Sequence, residues 1–337
     1  MEGKMITIFH VSTEKGLSLY NMNIIKHYYE VIERRFVRAI LSSASLAMWL
    51  SKHCLRFYLR LFYFNWVGRH MNYLHPRDLN QALIKLSWRN SRCSRMRELI
   101  PMCADKYAVR AYITAEGYGD TLNELYGVYD NVDDIDFNSL PDQFVMKMNN
   151  ASGRNYICTD KSKCNWPKQR QQFAEWLKDN TFGWQTGEWQ YGLIKPRIII
   201  EKYMEDLGDI SLIDYKFQCF YGKAYDVFVC YNRGNAKDDQ AKTGDVCYDC
   251  YDLDWNRTEN ISPEWHKQRQ MVNRPQNLQR MIQMAEDCTK NIPYCRFDVY
   301  EINGKIVFGE MTFTPHGNVI DFYTDAYLVK NKDLLLL

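Results

Sequence analysis

The spacing of hydrophobic and polar residues changes near residue 100. The first hundred residues are predicted to be mostly helical. After that point, short runs rich in β-branched and aromatic residues alternate with turns marked by Gly, Asn and Asp. These runs predict six strands, at residues 144–148, 197–203, 215–220, 224–231, 294–300 and 305–311.

Two helical patterns lie among the predicted strands. One begins at Pro167, a residue type that is well tolerated in the first turn of a helix, and the other lies near Leu278. Helices interleaved with short strands predict an α+β fold. We divide the chain into a mainly helical, basic N-terminal region, residues 1–100, and an α+β body, residues 101–337.

The charges are distributed unevenly although they nearly balance. The 337 residues are 46% hydrophobic, enough for the cores of about two domains, and their formal net charge of +2 gives no reason to expect a nucleic-acid partner. Residues 1–110 hold 18 Lys/Arg and 7 Asp/Glu, whereas the remainder holds 25 and 34. A basic front suits an anionic surface or polymer, and an acidic body with a few placed lysines suits a metal-nucleotide site.

The cysteines indicate the compartment. The 11 cysteines are spread along the chain, without the dense spacing of a secreted disulfide scaffold, which favours a reducing cytosol. Cys247 and Cys250 form one C-x-x-C motif, but no second pair lies at metal spacing, so we do not expect a zinc site. The N-terminus has no signal-peptide pattern, and we therefore predict a cytoplasmic protein.

The most apolar segment, residues 36–67, is interrupted by basic side chains, so we do not expect it to span a bilayer, which takes about 20 apolar residues. Lys52, Arg56 and Arg60 recur every four residues and form one stripe of a predicted helix. Two interpretations stay open. The helix packs on the body of the protein with its charges solvated, or it lies as a basic amphipathic helix at the inner membrane surface.

A predicted hairpin near the C-terminus carries two acids. The dipeptide Asn303-Gly304 separates two predicted strands and is a strong hairpin signal. Asp298 and Glu310 approach each other across it, and the length of the loop decides whether their side chains lie on the same face of the hairpin. A two-residue loop would turn Glu310 to the other face, whereas a three-residue loop would place both carboxylates on one face. We predict the three-residue loop.

Paired carboxylates on rigid strands indicate a metal site. They repel each other unless a cation lies between them, and hard oxygen ligands select Mg²⁺. Arg296 is two residues from Asp298, shares its face, and can neutralise the charge of a phosphoryl group. The alternative is a surface hairpin whose acids are solvated.

Two lysines and a polar loop are candidates for binding phosphates. Lys147 ends a predicted strand and precedes the loop NNASG, residues 149–153, whose backbone N–H groups can approach oxyanions. Lys106 is the second candidate. For either lysine alone, a solvated surface amine is the alternative. The P-loop and protein-kinase motifs are absent.

The strand predicted at residues 197–203 is a candidate for binding a nucleobase. It ends in Glu201, Lys202 and Tyr203, whose backbone groups can pair with adenine. The acids that follow are candidates for the ribose hydroxyls, namely Glu205, Asp206 and Asp209. A plain core strand that runs into a turn is the alternative.

Taken in order, the motifs of this chain resemble the ATP-grasp family, in its branch similar to the teichuronopeptide biosynthesis (TupA-like) proteins. The motifs are DKYAVR, LPDQFVMKMNNASG, GEWQYGLIKPRIIIEKYMED, DYKFQCFYGK, YDLDW and RFDVYEINGKIVFGEMTFTPHG, and they cover roughly residues 76–333. The resemblance implies two α+β lobes that clamp a nucleotide. Residues 101–203 would bind the phosphates and adenine, and residues 204–337 would bind the metal and the acceptor.

The resemblance also implies roles for individual residues and two cofactors, ATP and Mg²⁺. Asp298 and Glu310 match the magnesium-binding pair, and Arg296 the arginine that often precedes it. Thr312 stands where the wider superfamily commonly has Asn as a further ligand. Predicted nucleotide-binding residues are Lys106, Lys147, Asn149, Ser152, Gly153, Glu201, Lys202, Tyr203 and Asp206. Predicted acceptor-side residues are Lys216 and Arg233. The loop NNASG departs from the usual N-H-G-S-G of this branch.

The activity implied is an ATP-dependent ligation in surface polysaccharide synthesis. A carboxylate, expected to be a uronic acid, would be activated as an acyl phosphate and attacked by an amino acid or amine. The expected partners are those substrates, other enzymes of polysaccharide synthesis and, peripherally, the inner membrane surface. Two alternatives stay open: a glycosyltransferase of the same pathway, and a non-catalytic nucleotide-binding protein.

Overall fold

A computed structural model describes residues 31–179, 181–204, 212–231, 246–265 and 270–335. The predicted site residues Asp206 and Arg233 lie outside the described residues. The chain forms two compact units, Met1–His70 and Met71–Leu337. The helices between residues 79 and 104 belong to the second unit, and the division at residue 100 stays a prediction.

The described part of the first unit is helical. Its helices are α1, described over residues 31–42, α2, Ala44–His53, and α3, Leu55–Val67. Cys54 separates α2 from α3, yet its N–H donates to Leu50 O at 2.7 Å and its carbonyl accepts from Tyr58 N at 3.0 Å, so the helical hydrogen bonding continues across it. Gly68 ends α3 in the left-handed conformation, with φ 75°. Among the described residues, no helix is long and apolar enough to cross a membrane.

The second unit contains seven α-helices in its described part. They are α4, Leu79–Arg92; α5, Ser94–Ala104; α6, Val109–Ala115; α7, Trp166–Lys178; α8, Phe182–Gln185; α9, Leu278–Thr289; and α10, Asp325–Asn331. The helices predicted from Pro167 and near Leu278 are confirmed as α7 and α9. Asp78 caps α4, because its carboxylate accepts a bond from Gln81 N at 2.9 Å.

The described residues of this unit include ten strands, which form two antiparallel sheets. They are β1, Leu125–Tyr129; β2, Phe144–Met148; β3, Asn155–Cys158; β4, Ile198–Lys202; β5, Asp214–Phe220; β6, Lys223–Tyr231; β7, Cys247–Tyr251; β8, Arg257–Thr258; β9, Tyr294–Ile302; and β10, Lys305–Thr312. The strand orders are β1-β4-β2-β3 and β10-β9-β5-β6-β7-β8. All six predicted strands are present within two residues of their predicted bounds, and the α+β class is confirmed.

Each sheet buries its own apolar face. In the four-stranded sheet, Phe144, Met146 and Ile200 pack with Phe173 of α7. In the six-stranded sheet, aromatic side chains such as Phe228 pack in a cluster that includes residues of α4 and α10. Burial of this apolar area is the main force that holds the strands in place. The polar side chains of the strands are thereby presented on defined faces.

The hairpin β9–β10 corrects the predicted loop. Lys305 pairs with Ile302, so the loop has two residues, Asn303 and Gly304, and both have positive φ values of 50° and 72°. The three-residue loop was wrong. The register instead shifts at a β-bulge between Phe308 and Glu310, after which Glu310 pairs with Asp298. The extra residue thus lies inside strand β10 and not in the turn.

Candidate active site

Polar side chains form two rows across three neighbouring strands of the six-stranded sheet. In the first row, Lys216 of β5 lies opposite Asp298 of β9, which lies opposite Glu310 of β10. The second row consists of Gln218, Arg296 and Thr312. Because successive residues of one face are two positions apart, both rows share one face of the sheet. We call this face the acidic strand face.

The centre of the acidic strand face is a buried ion cluster. Lys216 Nζ lies 2.5 Å from Asp298 Oδ2 and 2.7 Å from Asp214 Oδ2, with side chains only 1–5% exposed. Arg296 donates to both oxygens of Asp298, from Nε to Oδ1 at 2.8 Å and from Nη2 to Oδ2 at 2.7 Å, so Oδ2 is shared with Lys216. Burial opposes the charge of Arg296, but Asp298 and Glu310 raise its pKa well above the usual value.

Glu310 is the more accessible acid of the predicted metal pair. Its Oε1 accepts from Arg296 Nη2 at 3.3 Å and from Thr312 Oγ1 at 3.3 Å, and 39% of its side chain is exposed. Burial tends to raise the pKa of Glu310, but the positive charges of Lys106, Arg296 and Lys216 lower it to about 2. Glu310 therefore stays ionised at neutral pH.

The donor set of the acidic strand face fits Mg²⁺ bound together with phosphates. Among the residues that the structure describes, no three His, Cys, Asp or Glu side chains are arranged to hold a metal alone. Mg²⁺ in nucleotide enzymes is commonly held by one or two carboxylates, with substrate phosphates and water completing its shell. Asp298 and Glu310 would hold it here, with the Thr312 hydroxyl beside them. Counted over the directly bonded side chains, three acids, Asp214, Asp298 and Glu310, stand against two bases, Lys216 and Arg296, and Lys106 adds a positive charge near Glu310.

Lys106 connects the predicted phosphate loop to the acidic strand face. Its Nζ donates to Ala151 O at 2.7 Å, within the loop 149–153. Burial lowers the pKa of Lys106, whereas the negative charge of Glu310 acts in the opposite direction. The structure thus brings together Lys106 and Glu310, which are 204 positions apart in sequence. A cation bonded to the loop and a carboxylate near it suit the two ends of a metal-bound polyphosphate.

The loop 149–153 is held by its first residue. The side chain of Asn149 is fully buried, donates to Asp105 Oδ1 at 2.9 Å and to Lys195 O at 3.1 Å, and accepts from Arg197 N at 2.7 Å. Asn149 therefore fixes the loop, and its side-chain polar atoms are engaged by the protein. Ser152 and Gly153 are exposed, and Gly153 has a φ of 72°. Their predicted contact with phosphates stays a prediction.

Sequence reasoning missed a buried acid, Glu188, whose charge interacts with those of Glu310 and Lys106. Glu188 accepts a bond from Thr314 Oγ1 at 3.0 Å, and Thr314 in turn accepts from Gln190 Nε2 at 2.7 Å. Burial raises the pKa of Glu188 to about 7. Glu188 stands in the motif GEWQYG, but no strand or helix periodicity assigns it to a face. Asp214 was also missed, although its position two residues before Lys216 places it on the same face of β5.

A second ion cluster lies on the four-stranded sheet. Glu201 of β4 accepts from Lys147 Nζ of β2 at 2.8 Å and from Arg110 Nη1 at 3.3 Å. The structure thus brings the predicted residues Lys147 and Glu201 together, and it adds Arg110. These side chains are 10–26% exposed, so the cluster is more accessible than that around Asp298. Two bases and one acid give it a positive excess, which suits an anion.

Hydrogen bonds at the end of β4 limit which backbone groups could bind adenine. The N–H of Lys202 donates to Glu124 O at 3.0 Å, and its carbonyl accepts from Asn123 Nδ2 at 2.9 Å. Its ammonium lies 3.3 Å from Glu124 and is largely exposed. Because the Lys202 N–H is used within the protein, a backbone N–H that donates to a base would have to come from Tyr203 or a later residue. The adenine site stays a prediction.

The chain belongs to the TupA-like ATP-grasp family. The family described as TupA-like ATPgrasp matches residues 84–331, which include every predicted site residue, and the predicted membership is confirmed. The ATP-grasp fold follows from this membership and agrees with the two antiparallel sheets and their helices. No protein of curated function matches the sequence.

Solved ATP-grasp ligases show distant similarity to this chain. The D-alanine–D-alanine ligase from Bacillus anthracis is 19% identical, with 70% of this chain and 66% of that chain covered and a TM-score of 0.43. D-cycloserine synthetase DcsG is 13% identical, with 74% and 78% covered and a TM-score of 0.40. D-alanyl-alanine synthetase A from Vibrio cholerae is 11% identical, with 69% and 63% covered and a TM-score of 0.38. The chain thus spans less than two thirds of the first and third of these proteins.

Proposed function

We propose that this protein is an ATP- and Mg²⁺-dependent ligase that joins a carboxylate to an amine through an acyl phosphate. The finer proposal is that the carboxylate is a uronic acid, the nucleophile an amino acid or amine, and the pathway surface polysaccharide synthesis. The observation that supports the reaction most is the pairing of Asp298 with Glu310 on the acidic strand face of an ATP-grasp chain, with Arg296 bonded to both.

In the proposed reaction, a substrate carboxylate oxygen attacks the γ-phosphorus of ATP and the bond to the β-phosphate oxygen breaks, which releases ADP. The amine nitrogen then attacks the acyl carbon, loses a proton, and expels inorganic phosphate as the amide forms. No covalent enzyme nucleophile takes part. Bound Mg²⁺ would supply positive charge to the phosphate oxygens as their charge shifts.

The side chains of this protein would position and neutralise the reacting groups. Asp298 is kept in place by Lys216 and Arg296, so its oxygens are fixed before a ligand arrives. Arg296 also donates a hydrogen bond to Glu310, and it would stabilise the negative charge on a transferred phosphoryl group. Lys106 and Lys147 would contact the phosphates from the loop side and from the four-stranded sheet.

The test is a screen for ADP release by the purified full chain. Uronic acids are crossed against amino acids and simple amines, with ATP and Mg²⁺ present. We expect ADP and phosphate in equal amounts from one class of pairs, and neither product when acid or amine is omitted. ADP release without dependence on both substrates, or none from any pair, would contradict the ligase.

Ligand-dependent thermal stability separates the ligase from a glycosyltransferase. A non-hydrolysable ATP analogue with Mg²⁺ should stabilise the protein by about 2.7 kcal/mol at a hundred times its dissociation constant, by mass action. UDP-sugars should have no effect. Stabilisation by UDP-sugars alone would favour the glycosyltransferase, and stabilisation by the ATP analogue without turnover would favour a non-catalytic nucleotide-binding protein.

A further inference from the structure

Glu188 lies in the segment between α8 and β4, near the acidic strand face. Its carboxylate accepts from Thr314 Oγ1 at 3.0 Å, and Thr314 follows the end of β10 by two residues. The charge of Glu188 interacts with those of Glu310 and Lys106. In the same segment, the Tyr191 ring lies 5.9 Å from Lys106 Nζ. Glu188 is thus placed beside the groups that we assign to the metal and the phosphates.

The hydrogen bonds of Glu188 come from neutral side chains. Thr314 donates its hydroxyl proton to Glu188 and accepts from Gln190 Nε2 at 2.7 Å, and Thr186 also bonds to the carboxylate. Among the residues that the structure describes, no basic side chain forms an ion pair with Glu188. The acid is therefore held in position without a bonded counter-ion in the described part of the chain.

A second acceptor in this cluster has no donor. Because Gln190 bonds to Thr314 through its amide nitrogen, its oxygen Oε1 is left over, and this buried atom has no hydrogen-bond partner among the described residues. A buried acceptor without a donor is unfavourable, and a ligand that supplies N–H groups would satisfy it. A carboxylate and an amide oxygen that are bonded through one Thr314 hydroxyl suit a cationic donor with several N–H groups.

The two acids that we assign to the metal are poor proton acceptors. Asp298 is bonded to both Lys216 and Arg296, and the pKa of Glu310 is lowered to about 2. Burial instead raises the pKa of Glu188 to about 7, close to the pH at which a proton acceptor works best in a neutral solution.

We propose that Glu188 binds the ammonium group of the amine substrate and takes one of its protons. The inference rests on the proposed ligase and defines a subsite within it. An ammonium nitrogen has no lone pair, so it must give a proton to Glu188 before it can attack the acyl carbon. The bond from that carbon to the phosphate oxygen then breaks, and the departing phosphate takes the second proton as the amide forms. Gln190 Oε1 would accept a further N–H of the substrate and orient it.

The test uses hydroxylamine, a nucleophile that is largely uncharged at neutral pH. It needs no proton acceptor before it attacks an acyl phosphate, and its product, a hydroxamate, is measured as a coloured ferric complex. The full wild-type chain and Glu188→Gln are supplied with ATP, Mg²⁺ and the acid found in the ADP-release screen. In the variant, kcat/KM for the amine found in that screen should fall at least about a hundredfold, whereas hydroxamate formation should persist.

The variants separate the charge of Glu188 from its hydrogen bond. Glu188→Gln keeps the shape of the side chain and an acceptor for Thr314, so the fold and the KM for ATP should be preserved. Thr314→Val removes the hydroxyl but keeps the carboxylate, and it should impair the amine reaction less than Glu188→Gln does. The matched control is Glu98→Gln, at an exposed carboxylate of α5, which should leave both reactions unchanged.

The pH dependence of the amine reaction is a second measurement. The titratable groups whose charges interact with Glu188 are Lys106 between α5 and α6, Tyr191, Glu310 of β10, and His316 after β10. As the pH rises through about 7, Glu188 loses its proton and can bind an ammonium group, so kcat/KM for the amine should rise. This rise should be absent from Glu188→Gln.

Three outcomes would overturn the inference. One is an amine reaction of Glu188→Gln with unchanged kcat/KM or an unchanged pH profile, and a larger loss in Thr314→Val would then identify a structural bond. The second is an equal loss of hydroxamate and amide formation in Glu188→Gln, which would place the residue in activation of the acid or in folding. The third is a wild-type chain that makes neither hydroxamate nor ADP, which would contradict the ligase itself and the subsite with it.

Discussion

The two ion clusters of the second unit have opposite charge balance. On the four-stranded sheet, Lys147 and Arg110 share Glu201, which leaves one net positive charge. On the six-stranded sheet, the strand residues bonded around Asp298 are three acids and two bases, which leaves one net negative charge among them, while Lys106, outside the sheet, lies near Glu310. The first cluster suits an anion and the second a cation. An ATP-grasp enzyme needs both, because a magnesium nucleotide presents phosphates and a metal at the same time.

The clusters also differ in burial, and this decides what each loses when a partner is removed. Water can reach the side chains around Glu201, which are 10–26% exposed, whereas those of Lys216, Asp214 and Asp298 are 1–5% exposed. A charge that loses its partner can be solvated by water in the cluster around Glu201, but it stays buried and uncompensated in the cluster around Asp298. Folding stability should therefore depend on the second cluster far more than on the first.

The largest expected effect is that of Lys216→Met on stability. The substitution leaves Asp214 and Asp298 buried with less compensation, and breaking a buried pair of this kind costs about 3–5 kcal/mol. Urea unfolding of the variant should show this loss. Lys147→Met is the matched control, since Glu201 keeps Arg110 and access to water, and it should cost about 1 kcal/mol or less. Equal losses in the two variants would contradict the comparison.

The next effect is that of Glu310→Gln on turnover. Glu310 makes long bonds and is 39% exposed, so the variant should unfold at nearly the wild-type urea concentration. Removal of a charge that acts mainly in the transition state costs about 3–4 kcal/mol, roughly a hundredfold to a thousandfold in kcat/KM. ADP release as a function of Mg²⁺ concentration is the measurement.

Two further variants serve as a control and as a comparison for Glu310→Gln. Glu175→Gln, an exposed carboxylate of α7, is the control and should retain full activity. Asp298→Asn should lose both turnover and stability, because its carboxylate neutralises two buried cations. Full ATP-dependent activity of Glu310→Gln would remove the metal assignment.

A smaller effect is expected from Gly309→Ala, at the bulge that aligns the two acids. A Cβ at Gly309 would lie 2.9 Å from Asp298 O and 3.0 Å from the Tyr300 ring, so backbone must move. We expect a loss of about 1–3 kcal/mol in unfolding free energy and a fall in kcat, because Glu310 shifts away from Asp298. Asn accepts the positive φ of the turn, so Gly304→Asn should change neither the unfolding free energy nor kcat markedly. If Gly304→Asn is the more damaging variant, the turn sets the register and the bulge does not.

The bulge marks a limit of what the sequence predicts. The strands and the Asn303-Gly304 turn follow from alternation and turn chemistry, whereas the facing of Asp298 and Glu310 depends on the bulge. The predicted three-residue loop was wrong because the extra residue was assigned to the turn. Gly309 was the available signal, since a glycine inside a strand pattern often marks a bulge.

Long-range contacts mark a second limit. Sequence separation hides the proximity of Lys106 to the charge of Glu310 and the bond of Glu188 to Thr314, which depend on how the two sheets and their loops pack. Alternation along β5, in contrast, would have placed Asp214 beside Lys216. The strand faces were therefore predictable residue by residue, whereas groups contributed by loops were not.

The smallest effect concerns Thr312, which follows Glu310 by two residues on the same face. Its hydroxyl accepts from Arg296 Nη2 at 3.2 Å and donates to Glu310 Oε1 at 3.3 Å. Thr312→Ala removes both bonds at a cost of about 0.5–1.5 kcal/mol, or roughly a twofold to tenfold fall in kcat/KM. Thr312→Ser keeps the hydroxyl and should recover most of the activity. A loss in Thr312→Ala as large as that in Glu310→Gln would mean that Thr312 itself binds the metal, and that the acidic strand face holds its cation through three protein ligands.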